Sequence, residues 1–131
     1  MPWKIEYLAD QHLIECELNG YLNAADLTAG ATATITAGNA HGTARYLCDC
    51  SGLSGGHSVF DLYTLAERLH ELGMPRGAHE AVIVSRLPAL AMDASFWETV
   101  CRNRGFKVRS FVDRASALAW LSETQPSLTG T

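Results

Sequence analysis

From residue 45 onward the chain alternates short apolar runs with longer amphipathic ones: "RYLCDC", "SVFDLYTLAERLHELG", "HEAVIVS", "SFWETVCRNR", "FKVRSFV" and a last helical stretch. Runs of strand length separated by runs of helix length predict a mostly parallel sheet. Parallel neighbours cannot be joined by a tight turn, so each connecting helix has to pack back onto the sheet. The apolar centre of "HEAVIVS" suits a strand covered on both faces. Lys107 and Arg109 on the last strand, like Glu15 and Glu17 on the second, predict that one face is partly polar, with the helices mainly on the other.

Ahead of that pattern, "WKIEYLA" and "HLIECEL" alternate as strands do, and "ADQH" between them reads as a hairpin turn. Asn23 is placed to cap a helix through "NAADLTAGATATITAGNA", with Asp26 in its first turn and Gly38-Asn39 at its end. Ala24, Leu27, Ala31 and Ile35 give this helix a narrow stripe of mostly small side chains. Its threonines and Gly30 are weak helix formers, so it depends on tertiary packing. Ser58 and Asp61 have capping-box spacing at the next helix, which Gly73 ends and Pro75 keeps from resuming. A third helix starts between Pro88 and Asp93 and runs to Gly105, and Asp113 caps the fourth. Phe96, Trp97, Phe106, Phe111 and Trp120 are expected in the core, while Tyr63 and Trp3 could line an interface instead.

The expected order is ββαβαβαβα: one α/β domain over residues 1–122, a five-stranded sheet whose first strand is antiparallel at an edge. Residues 123–131 are expected to form a flexible polar tail. At 131 residues the length suits one domain with a real core. The apolar runs are too short to span a bilayer, and Met1 to Asp10 lacks signal-peptide features, so a cytoplasmic protein is expected. The four cysteines fit that setting as thiols in the core. Cys48 and Cys50 share one face of a strand, and the five histidines are scattered, so no metal and no cofactor is expected.

A net charge of −4 argues against a nucleic-acid binder. Even so, five of the ten Lys and Arg residues fall in "RNRGFKVRSFVDR". Arg102, Arg104, Lys107 and Arg109 are either a solvated helix end with a charged edge strand, or a patch for an anionic partner or the acidic strands of a second copy.

Two stretches carry a resemblance. "YLCDCSGLSGGHSVFDLYTLAERL" resembles the strand ending in Asp, then loop, then helix of the STAS domains, which have the SpoIIAA-like fold. "FWETVCRNRGFKVRSFVDRASALAWL" resembles the family's Phe-Trp-Glu helix, Asn-Arg-Gly, strand, Phe-x-Asp and Ala-x-x-Trp-Leu. The resemblance spans most of Trp3 to Leu121, and more closely the chain resembles small stand-alone bacterial STAS-like proteins. The resemblance implies a regulatory or protein-interaction domain with a protein partner, a homodimer, and a phosphorylated serine at the position of Ser58. The family's Asp-Ser pair is His57-Ser58 here. The fold is also similar to that of CRAL-TRIO lipid-transfer domains, which implies as an alternative a carrier of a small apolar or anionic ligand under the 23–38 helix.

At the central junction, Gly52, Gly55 and Gly56 match neither the dinucleotide fingerprint nor the P-loop. They are read as permitting a backbone reversal from strand to helix. Ser58 is read as a helix cap, a phosphoacceptor, or both, since a phosphate is favoured at a helix start. Asp49, near the end of the central strand, is placed where open parallel sheets bind ligands, or else accepts loop amides. Asp49, His57 and Ser58 would support catalysis only by converging, and no nucleophile with an evident base and orienting group is present. The candidate site is therefore Asp49, Gly55, Gly56, His57, Ser58 and Asp61, expected to bind rather than to catalyse.

Overall fold

The alternating hairpin of β1 (Trp3–Leu8) and β2 (Leu13–Tyr21) forms as expected, with the two strands antiparallel and joined by a turn. The computed structural model describes residues 2–124. The rest of the chain is α1 (Ala24–His41), β3 (Arg45–Gly55), α2 (Val59–Arg68), β4 (His79–Ile83), α3 (Pro88–Arg102), β5 (Lys107–Phe111) and α4 (Arg114–Glu123). The strands lie side by side in chain order, β1-β2-β3-β4-β5, and every pair after the first is parallel. Of the expected 123–131 tail, Glu123 closes α4 and Thr124 caps it; the remainder lies outside the described residues.

This sequential order explains the layering. Three successive crossovers step across the sheet in one direction, and crossovers of a single hand must then land on the same face. α1, α2 and α3 accordingly cover one face, packed on Ile14, Cys16, Leu18, Tyr46, Val82 and Val108. α4 alone covers the other, setting Ala117 and Leu121 on Leu13, Leu47, Ala81 and Ile83. Glu15, Glu17, Lys107 and Arg109 alternate onto this second face beside α4, which gives it the expected polar flanks. Arg114 of α4 pairs there with Glu15 through both carboxylate oxygens.

Several boundaries differ from the sequence expectation. α1 runs past Gly38-Asn39 to His41 and is closed by Gly42 in the left-handed region, φ 70°. Gly38 serves packing instead: a Cβ there would sit 2.9 Å from Cε1 of Tyr46 and 2.8 Å from the Thr43 carbonyl. Gly30 and Thr34 join Leu27 and Ile35 in the buried stripe, and the Thr34 hydroxyl is satisfied by the Gly30 carbonyl at 2.7 Å. Small residues thus let α1 approach Trp3 and Tyr46 closely, where the apolar pattern alone suggested a thinner contact. β3 extends through "SGLSG", where the sequence predicts a loop, because Ser51–Gly55 continues to pair with the end of β2 through two register shifts. α2 ends at Arg68, and the chain turns until Gly73, φ 104°.

Of the aromatic residues expected in the core, Phe106 is fully buried, while Phe96, Trp97, Phe111 and Trp120 are half-buried against it. Arg45 is the least expected core residue, at 5% exposed. Its guanidinium donates to the carbonyls of Gln11, His12 and Leu121 and to the Thr124 hydroxyl, fastening the hairpin turn to the end of α4.

Candidate functional site

Two glycines steer the chain from β3 into α2. Gly55 and Gly56 have φ of 129° and 105°, a conformation side chains rarely adopt. Gly56 also lies against the backbone of Leu22, leaving no room for a Cβ. Past this point Ser58 caps α2 in a complete capping box. Its hydroxyl accepts from the Asp61 amide at 3.1 Å, while Asp61 Oδ2 accepts from the Ser58 amide at 2.9 Å. Ser58 is exposed, as are Val59, Phe60 and Tyr63.

His57 turns inward. Its side chain is 2% exposed, Nε2 lies 3.9 Å from Asp93 Oδ2 on α3, and Nδ1 is buried without a hydrogen-bond partner. Asp49 does not join it. Alternation along β3 places Asp49 with Leu47 on the α4 face, where its Oδ1 accepts from the Ser51 amide at 3.0 Å. His57 belongs to the opposite face, so the sheet separates the two, and Asp49, His57 and Ser58 do not converge.

The four basic residues are likewise divided. Lys107 and Arg109 project from β5 on the α4 face, and Arg109 lies over the Phe111 ring. Arg102 pairs with Glu98 at 3.5 Å, and Arg104 pairs with Glu67 at 3.9 Å and lies over the Tyr63 ring. They do not form one patch.

What the structure does bring together is a cavity beneath α1, α2 and α3, with about 120 Å³ open to the centre of a water-sized atom. That is enough for several waters or a small organic molecule. Its wall is mostly apolar, with leucine the commonest residue, and is interrupted by polar groups. Tyr46 and Glu80 are paired neighbours on β3 and β4 and both line it. The Tyr46 hydroxyl is buried without a partner, and burial followed by the charge of Glu80 pushes its pKa up to about 12. The hydroxyl therefore stays protonated at neutral pH.

Glu80 accepts from Trp97 Nε1 at 2.6 Å. Burial raises its pKa, and the Trp97 hydrogen bond only partly offsets that shift. Among the described residues no Lys or Arg lines the cavity or pairs with Glu80.

Three thiols complete this wall. Cys16, Cys48 and Cys50 line the cavity, and the Cys48 and Cys50 sulfurs are 3.6 Å apart. The hydrogen bond to Cys48, then burial, raises the Cys16 thiol far above its usual range. For Cys48 the bond from Cys16 acts downward, but the contact with Cys50 and burial outweigh it. Both are protonated, unreactive thiols at neutral pH.

Of the residues in this wall the sequence pointed to His57, as part of a docking junction, and not to Tyr46, Glu80 or Asp93, while Trp97 was expected in the core. One signal was available: a glutamate inside "HEAVIVS", a strand expected to be covered on both faces, must be buried and must find a partner.

No family model matches the chain, and no curated protein matches it. Among solved structures, the chain is similar to an uncharacterised protein of the DUF3478 family from Shewanella loihica PV-4, which has a SpoIIAA-like fold. The likeness has a TM-score of 0.60 at 19% identity and covers 91% of each chain. The fold of the present chain is thus SpoIIAA-like, as the resemblance implied, with β1 antiparallel and the other strands parallel. No helix among the described residues is long and apolar enough to cross a membrane.

Proposed function

We propose that this domain binds a small, largely apolar molecule in the cavity beneath α1, α2 and α3, and that it binds without catalysing a reaction. One observation carries the reading: an apolar cavity of about 120 Å³ whose wall holds buried polar atoms, the Tyr46 hydroxyl and His57 Nδ1, with no partner in the protein. Buried polar groups are normally satisfied, and each one left alone costs about 1–3 kcal/mol. A ligand that settled into the cavity and brought a polar group against either atom would relieve that cost. The non-catalytic half of the proposal is supported by the separation of Asp49 from His57 and by the high pKa of Cys16 and Cys48.

Native mass spectrometry of the protein purified from its own cells tests the proposal. A bound species released by organic solvent, together with a rise in melting temperature when it is added back, is the expected result. A protein that carries nothing, and whose melting temperature no small apolar compound shifts, would contradict it.

A second reading keeps the α2 start as a docking surface for a protein partner, switched by phosphate on Ser58. It is favoured by Phe60, 73% exposed beside an exposed Ser58. With Asp49 on the other face, that surface would be residues 55–61, and it would also be available to a second copy. Intact mass and oligomeric state with and without Ser58→Ala test it: no phosphate and no change in assembly would remove it.

A further inference from the structure

The charge pattern of the cavity narrows its ligand, and this step rests on the ligand-binding reading above. We infer that the cavity selects an apolar amine, a molecule with a compact hydrophobic body and a cationic or strongly hydrogen-bond-donating head, and that Glu80 holds the head.

Glu80 lies on β4, a strand with neighbours on both sides, and its side chain faces the cavity under α3. Its Oε1 accepts from Trp97 Nε1, and no hydrogen bond among the described residues reaches Oε2. A carboxylate held partly out of water is best satisfied by an opposite charge or further donors, and Glu80 has a single donor on Oε1 while Oε2 stays accessible. The other ionisable groups around the cavity deepen the deficit. Asp93 at the wall is a second carboxylate, and Tyr46, Cys16 and Cys48 can only lose protons. The His57 imidazole faces Asp93 rather than Glu80.

A cation would therefore enter a site of one sign. Its N–H groups would meet Glu80 Oε2, and Tyr46, on the paired position of the next strand, lines the same wall. A fatty acid or other anion would instead set a second negative charge against Glu80 with no Lys or Arg to offset it. The anionic ligand implied by the lipid-carrier analogy is disfavoured on these grounds.

The test compares three probes of nearly one shape, 2-phenylethylamine, 2-phenylethanol and phenylacetate, by isothermal titration calorimetry on the full chain. The amine should bind at least about tenfold more tightly than phenylacetate, and more tightly than the alcohol. In Glu80→Gln, which can still accept from Trp97, the amine should lose about tenfold while the alcohol is unchanged. The wild-type comparison stands whether or not that variant folds. If the alcohol or phenylacetate binds as tightly as the amine, the head-group inference is overturned and the cavity reading survives. If none of the three binds, both are overturned.

Discussion

Trp97 Nε1 donates to Glu80 Oε1 across 2.6 Å, tying α3 to β4 at a carboxylate in the cavity wall that no Lys or Arg among the described residues pairs with. Replacing Trp97 by Phe keeps most of the packing and removes the donor. Stability should fall by about 2 kcal/mol, the usual worth of a hydrogen bond to a charged group. Urea unfolding at neutral pH checks this.

The same carboxylate sets a pH dependence. Burial raises the folded-state pKa of Glu80 above its ordinary 4.5. An acid raised in this way contributes stability that is fully present below the unfolded value and is lost as pH climbs through the folded one. Glu80→Gln should therefore gain stability relative to the wild type as pH rises from about 4.5 through that raised value, the gain levelling off above it. A stability difference between the two proteins that stays flat with pH would mean that Glu80 is not desolvated.

Gly38→Ala sets two effects against each other. Alanine is the better helix former by about 1 kcal/mol. Its Cβ would, however, meet the rigid Thr43 carbonyl at 2.8 Å and the Tyr46 ring at 2.9 Å. The clash should win, with a net loss of about 1–3 kcal/mol. A lower denaturation midpoint at unchanged slope is the expected signature.

Arg45→Ala strips donors from the carbonyls of Gln11, His12 and Leu121 together. The loss should be about 2 kcal/mol, because the Gln11 carbonyl loses its donor while the His12 and Leu121 carbonyls keep those of the Thr43 and Thr124 hydroxyls. Arg45→Lys should recover only part of it, since an ammonium cannot reach several acceptors as a planar fork does. Thermal unfolding of the two variants side by side measures both effects.

Ser58→Ala removes the cap of α2 and should cost about 1 kcal/mol. Because the Ser58 hydroxyl is engaged with Asp61 outside the cavity wall, affinity for a cavity ligand should stay within about twofold of the wild type, the scatter expected when no contact changes. Calorimetry on the variant separates the cap from the cavity.

Local rules carried much of the fold. Alternation of strand and helix periods sets the element order, and Asn23, Ser58 and Asp113 each cap the helix expected of them. These features act over a few residues, so they are written in consecutive letters. The polar flanks formed by Glu15, Glu17, Lys107 and Arg109 were legible for the same reason, since a strand's two faces alternate residue by residue.

The site was legible only in part. The sequence placed His57 and Ser58 at one junction with Asp49, and only the pleat of β3 and the course of the chain after Gly56 put Asp49 on one side of the sheet and His57 on the other. Glu80 and Tyr46 are far apart in the chain and adjacent in the sheet, a pairing set by strand register. Gly38 read as a helix end because glycine usually is one; its use as space for a tyrosine ring depends on a strand that follows it. Short-range order is encoded in neighbouring residues, whereas a cavity is the space left between elements. Its shape and charge exist only after three helices have settled on one face of the sheet.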